Sequence, residues 1–176
     1  MAKLETDRLI LRELNNNDVE GMFLLDADKD VHKYLGAKPV KNKTESLAKI
    51  NFINAQYLSN GIGRWAVINK ENSNFMGWAG FKLITEITNS HINYYDLGYR
   101  FQKKYWGKGF ATEVAIALVN YGFNVLKLKE IFAIADKNNL ASIKVLEKAG
   151  LKKLELFEYN NTPHYWFKIE ENSAHP

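Results

Sequence analysis

The chain contains no cysteine, which excludes a disulfide framework, a thiolate nucleophile and any cysteine-based zinc or iron–sulfur site. It also lacks a long apolar run: no stretch approaches the roughly 20 residues of a membrane span. The charged start "MAKLETDRLILREL" has no unbroken apolar core of the kind a signal peptide needs, so a cytoplasmic location is expected. Proline is scarce, at three residues, and there is no Pro/Gly-rich linker, internal repeat or low-complexity tract to mark a domain boundary. Nor is there a basic block. The formal charge of +4 comes from lysines that alternate with acids, as in "KLKEIFAIADK", which is compatible with an anionic ligand but is also ordinary surface solvation.

What is present fits one domain over residues 1–176, with 46% hydrophobic and 25% charged residues, enough to build a core. "RLILREL" (8–14) reads as a strand and "NDVEGMFLLDAD" (17–28) as a helix capped by Asn17 with Glu20 answering it. A second helix over 43–61 has Asn42 and Glu45 at capping-box spacing, a stripe of Leu47, Ile50, Ile53 and Tyr57, and Gly61 as its stop. Three extended segments follow, "GRWAVINK", "NFMGWAGFKLI" and "NYYDLGYRF", whose short turns favour antiparallel neighbours. Residues 110–126 carry Val114, Ala117, Leu118 and Tyr121 at helical spacing, and "EIFAIAD" reads as a buried strand. "NLASIKVLEKAG" is a short helix with Asn139 as N-cap and Gly150 as stop. "KKLELFEY" and "HYWFKIE" form a hairpin through "NNTP". The order β-α-α-β-β-β-α-β-α-β-β describes a mixed α/β sheet.

Between the third extended segment and its helix stands "YWGKGFATE". A strand that enters a glycine-rich turn and then a helix directs several backbone N–H groups at one point, and the helix dipole adds positive charge there. No proline interrupts residues 104–113, Gly107 and Gly109 leave room for a phosphate, and Lys103, Lys104 and Lys108 add charge. The same tripeptide serves equally as a plain turn with surface lysines. It is not a Walker loop, because Phe110 and Ala111 follow Gly109, and Thr112 stands where the dinucleotide fingerprint needs a third glycine.

Taken together, "TDRLILREL", "GWAGF", "DLGYRF", "YWGKGFATE" and "NLASIKVLEKAGL", in this order over nearly the whole chain, resemble the GNAT superfamily of acetyl-CoA-dependent N-acetyltransferases. The similarity is greatest to its ribosomal-protein N-terminal acetyltransferase, or RimJ/RimL-like, branch. The resemblance implies a central, largely antiparallel twisted sheet flanked by helices, with acetyl-CoA as the acetyl donor. It assigns the pyrophosphate to the amides of Lys104, Tyr105, Trp106, Gly107, Lys108, Gly109, Phe110 and Ala111. Lys104 stands where the family carries Gln or Arg, keeping the charge and losing the fork. The pantetheine arm is implied to lie along Leu97, Gly98, Tyr99 and Arg100 like an added strand.

Acetyl transfer from a thioester to an amine needs no metal, only that both reactants are held and protons moved. Leu146 replaces the tyrosine that many family members use as proton donor. The RimL-like Asn-x-x-Ser is matched by Asn139 and Ser142, so the resemblance gives the acid role to Ser142, with backbone capping as its plain alternative. Asn139 is implied as both cap and coenzyme contact. Asp96, just before the family's central glycine, is the candidate base or else a salt-bridged structural residue; Glu86 and Tyr95 are weaker candidates.

Other features read more plainly. "DADKDV" begins like a calcium loop, but Val31 replaces its glycine and Ala37 its bidentate glutamate. His32, His91, His164 and His175 lack metal-ligand spacing, although His164 could line an acceptor site. Trp65, Trp78, Tyr94 and Trp166 suit core and sheet faces. The expected function is an N-acetyltransferase for a primary amine, such as the N-terminus of a ribosomal protein. Alternatives are an acetyltransferase for a polyamine or aminoglycoside, a non-catalytic coenzyme A sensor, and a basic nucleic-acid-binding module, which would need its basic residues on one face. A homodimer through the late strands is compatible with the family.

Overall fold

A computed structural model describes residues 2–36 and 38–171; Ala37 and His175 lie outside them. The described residues form eight strands and four helices: β1 Ala2–Glu5, β2 Leu9–Arg12, α1 Val19–Asp26, α2 Lys43–Asn60, β3 Arg64–Asn69, β4 Phe75–Ile84, β5 Tyr94–Phe101, α3 Phe110–Asn124, β6 Glu130–Asp136, α4 Leu140–Lys148, β7 Lys152–Tyr159 and β8 Thr162–Glu170. One sheet runs in the order β1-β2-β3-β4-β5-β6-β8-β7. All pairings are antiparallel except β5 with β6. The strands ahead of the glycine corner are thus antiparallel, as read from sequence, but β5 joins β6 in parallel through α3.

The start of the first helix differs from expectation in an instructive way. The cap ahead of α1 is Asn15, which accepts from the Asn17 N–H at 2.9 Å, while Asp18 accepts from the Asn15 N–H at 2.9 Å. This reciprocal pair closes a 3-10 turn at Asn16–Asp18 before the α-helix starts, so Asn17 is a donor, and Glu20 is free to pair with Lys43. The acidic partner is in turn held by a two-pronged contact from Arg12 at 2.7 and 2.8 Å. Asn42 does cap α2, accepting from the Glu45 N–H at 3.0 Å, and Gly61 ends it. β1 was not anticipated: four residues with two charged side chains carry too little pattern to register as a strand. The last hairpin turns on Asn160 and Asn161, both left-handed, which is the chemistry of a two-residue turn.

Side chains alternate across the sheet and so define two cores. On one face α3 and α4 pack Val114, Leu118, Ile143 and Leu146 onto Trp65, Val67, Phe81, Leu97 and Ile131. On the other, α1 and α2 pack Met22, Leu25, Ile50 and Ile53 onto Ala66, Ile68 and Trp78. Farther along this second face Tyr94, Phe132 and Trp166 form an aromatic cluster with ring centroids 5.1–5.3 Å apart. Between that cluster and the helices the face is not apolar at all: it carries Arg64, Asp96 and Arg100.

Candidate active site

β5 holds a full antiparallel register with β4, from Gly77 opposite Phe101 to Ile84 opposite Tyr94. Its register with β6 is a single position, Asp96 opposite Phe132. Beyond that point the two parallel strands have no paired position, and on this side Leu97, Gly98, Tyr99 and Arg100 have no partner strand among the described residues. Backbone groups in such a gap call for hydrogen-bonding partners that an extended ligand can supply.

Past β5, Gln102 is buried and the chain makes a 3-10 turn over Lys103–Tyr105. The Trp106 indole N–H donates to the Phe101 carbonyl at 2.8 Å and pins the turn to the strand end. Gly107 and Gly109 then adopt φ of 71° and 82°, a region that costs any residue with a Cβ. No side chain caps α3. The N–H groups of Tyr105 and Trp106 are used within the turn, and that of Glu113 returns to Gly109. Those of residues 107–112 meet no acceptor among the described residues. They are consecutive donors at the positive end of a helix, and a Cβ added at Gly107 would meet no protein atom within 4 Å. Lys104 and Lys108 stay exposed beside them. Phe110 and Tyr105, by contrast, turn inward and meet edge to face, with centroids 6.2 Å apart.

The corner is tied down from the far end of the chain. Glu113 accepts from the Thr6 hydroxyl at 2.5 Å and from the Arg8 backbone and Nε at 3.0 and 2.6 Å. The same guanidinium donates to the Lys108 carbonyl at 3.1 Å and lies 4.2 Å over Phe110. Burial pushes the Glu113 pKa up, but the Thr6 and Arg8 donors outweigh it and hold the carboxylate below its ordinary range. Lys103 pairs instead with Asp30 at 2.5 Å.

Ser142 and Asp96 lie on opposite faces of the sheet. Asn139 caps α4, accepting from the Ser142 N–H at 3.2 Å, so the cap is made by the asparagine, and the Ser142 hydroxyl is used elsewhere. It sits 3.0 Å from the Tyr99 hydroxyl, which is also placed to donate to the Ser142 carbonyl at 3.2 Å. Burial raises the Tyr99 pKa, opposed by its bond to Ser142. The pair is therefore a part-buried chain of two hydroxyls, and the tyrosine's part in it was not foreseen.

On the other face Asp96 accepts from Arg64 Nη2 at 3.1 Å. Burial pushes the Asp96 pKa up, with Arg64 pulling the other way. A carboxyl raised in this manner can take up a proton nearer neutrality than an exposed one. Glu86 remains exposed beside Lys82, and Tyr95 packs toward the α3 core on the face opposite Asp96. Arg100 goes to Asp26 at 2.6 Å, which also takes Lys49 at 2.8 Å. Asp26, Asp28 and Asp30 of the calcium-like stretch are thus engaged with cations or with a turn N–H. His164 is a buried strand residue against Phe157 and Tyr159, its Nδ1 within 3.0 Å of the Thr162 carbonyl. Trp65 meets Tyr121 edge to face in the core.

Comparison with known proteins settles the family. The model of the acetyltransferase (GNAT) domain matches residues 8–152. The chain is a GNAT N-acetyltransferase. It is 31% identical over 165 residues to the uncharacterized N-acetyltransferase YoaA of Bacillus subtilis, covering 92% of this chain and 91% of that one. The crystal structure of a GNAT-family acetyltransferase from Bacillus anthracis superposes with a TM-score of 0.79 at 27% identity, over 96% of this chain and 98% of the other. Spermidine N(1)-acetyltransferase of Escherichia coli is 26% identical over 140 residues, 80% of this chain and 70% of that protein. GNAT acetyltransferases draw their acetyl group from acetyl-CoA, and the residues of this chain fit such a donor on two counts: the unpaired amides of the corner suit its phosphates, and the strand gap suits its amide-bearing arm.

Proposed function

We propose that this GNAT enzyme acetylates the α-amine of a protein or peptide N-terminus, in the manner of the RimJ/RimL-like branch, from a single domain spanning the chain. The observation that carries this reading is the gap between β5 and β6, which has a raised carboxyl at its apex on one face and the Ser142–Tyr99 hydroxyl pair on the other. Bound acetyl-CoA supplies the thioester carbonyl for the amine to attack. The amides of residues 107–111 hold the diphosphate, Asn139 adds a contact, and the β5 edge orients the arm. Asp96 takes the proton that the acceptor ammonium must lose, directly or through water. Ser142 gives a proton to the departing sulfur and takes one from Tyr99 across their 3.0 Å contact, and the part-buried pair recovers that proton from water.

A polyamine acceptor is the second reading, favoured by the likeness to the spermidine enzyme. It sits less well with the charge around the gap: Asp96 is faced by Arg64, and Asp26 is already shared between Arg100 and Lys49. The experiment is calorimetric titration with acetyl-CoA, with thiol release followed against N-terminal peptides and polyamines. Gly107→Val should weaken coenzyme binding by roughly tenfold or more, because a β-branched residue resists φ near 71°. Unchanged affinity in a folded variant would remove the corner from the site.

A further inference from the structure

Arg64 begins β3 opposite Gly80 of β4, which in turn lies opposite Gly98 of β5. Its side chain crosses this lane of two glycines: a Cβ at Gly98 would stand 3.0 Å from Nη2 and 3.2 Å from Nε. Any other residue at 98 would press on the guanidinium, which would have to give by a few tenths of an ångström. There it stacks on Trp78, 4.5 Å from ring centroid to Cζ, and gives Nη2 to Asp96. Tyr57 fixes the base of the residue by donating to the Arg64 carbonyl. Nε is buried with no acceptor, and Nη1 donates to nothing among the described residues.

A desolvated guanidinium with one hydrogen bond is costly to keep. Four constraints nevertheless hold it in that state: a tyrosine, a tryptophan and two glycines. Its side chain is still 23% exposed, so it borders the gap. Because Arg64 and Asp96 are 3.1 Å apart, a substrate that presents its amine to Asp96 and an oxygen to Arg64 must carry the two only a few bonds apart. An α-amino carbonyl or carboxylate has that spacing. A polyamine has no oxygen to offer, and its remaining ammonium groups would meet Arg64, Lys82 and Arg100.

We infer that Arg64 is the specificity residue for the acceptor, reading the carbonyl or carboxylate oxygen next to the amine that is acetylated. The inference rests on the assignment of Asp96 as base and names the acceptor class: α-amino acyl compounds, whether free amino acids or chain N-termini. The test uses the intact enzyme with saturating acetyl-CoA and compares alanine, alaninamide, an alanine-initiated peptide, ethylamine and spermidine. The α-amino acyl acceptors should exceed ethylamine in kcat/KM by roughly 10- to 100-fold, the range of a charge-assisted hydrogen bond. Transfer to alanine alone would indicate free amino acids, and transfer to alaninamide and the peptide would indicate N-termini.

Arg64→Met should collapse that preference to within about threefold while acetyl-CoA still binds. Should that variant fail to fold, Arg64→Lys keeps a cation beside Asp96 and loses the fork, and should narrow the preference at least several-fold. Equal transfer to ethylamine, transfer to spermidine alone, or no transfer to any acceptor by an enzyme that binds acetyl-CoA would each overturn the inference and leave the coenzyme site standing. Loss of acetyl-CoA binding by the wild-type protein would overturn both.

Discussion

Arg64 and Arg100 both lay their guanidinium groups against Trp78, 4.5 and 5.0 Å from its ring centroid, yet the carboxylates they meet are treated differently. Asp26, only 1% exposed, receives Arg100 at 2.6 Å and Lys49 at 2.8 Å. Burial pushes its pKa up, but the two cations outweigh burial and hold it below the ordinary value of 3.8. Asp96 receives one bond at 3.1 Å, and there burial wins and the pKa rises. The two pairs share a face of one sheet and a tryptophan. One is fully compensated and behaves as a structural clamp between α1, α2 and β5; the other is left short of partners where the strands separate. A carboxyl short of partners is one that can still exchange a proton.

The comparison breaks most sharply at Asp96. Replacing it with Asn should lower kcat by roughly a thousandfold if it is the base, within the usual range for a positioned proton acceptor. Acetyl-CoA affinity should hardly move. In the wild type the active form is ionised, so activity should fall as pH drops through the raised pKa, at a higher pH than an exposed aspartate would give. That acid limb should vanish in Asp96→Asn, and a surviving limb would assign the base elsewhere.

The matching change at Asp26 should act on stability. Asp26→Asn leaves Arg100 and Lys49 without their counter-charge and should cost about 3 kcal/mol in denaturant unfolding. The pKa shift is opposite in direction to that of Asp96. Because the folded pKa of Asp26 is depressed, its stabilisation is complete above the unfolded value and is lost as pH falls through the folded one. The wild type should therefore lose stability toward acid more steeply than Asp26→Asn. His32 acts in the same sense: burial first, then Arg100, lower its pKa, so the folded state favours its neutral form beside Asp26 at 3.6 Å and protonation toward acid works against folding.

The contrast also explains how much could be read from the sequence. Caps and turns were legible where the deciding residues are neighbours: Asn42 with Glu45, Asn139 with Ser142, and the Gly107–Gly109 corner. The first helix was misread by two residues because Asn15, Asn16 and Asn17 are chemically alike, and only the reach of Asp18 selects Asn15. Asp96 and Ser142 were noticed through family resemblance, but their partners were not. Arg64 lies 32 residues from Asp96, Tyr99 lies 43 from Ser142, and Glu113 lies 105 from Arg8. Such pairs are products of sheet register and helix docking, and no local pattern carries them. Arg64 in "GRWAVINK" looked like an ordinary charged start to a strand; the signal available was the facing pair of glycines, once β3, β4 and β5 were aligned.

On the opposite face, the hydroxyl pair offers a finer division. Ser142→Ala should reduce kcat by roughly a hundredfold if its oxygen delivers the proton, whereas Tyr99→Phe should cost less, roughly tenfold, because it removes only the resupply. Equal losses in the two variants, with a multiplicative double variant, would show that each acts alone. A loss confined to the tyrosine would make it the donor and leave Ser142 as its anchor.

The smallest effect separates the two duties given to Asn139. As N-cap of α4 it satisfies the Ser142 N–H, and Asn139→Ala should cost about 1 kcal/mol of stability. If it also touches the coenzyme, acetyl-CoA affinity should fall several-fold. Asn139→Asp keeps the capping oxygen and sets a negative charge near the phosphates, so it should restore stability while weakening acetyl-CoA further. Restored stability with unchanged affinity would confine Asn139 to the helix terminus, and the hold on the diphosphate would then rest on the amides of the corner.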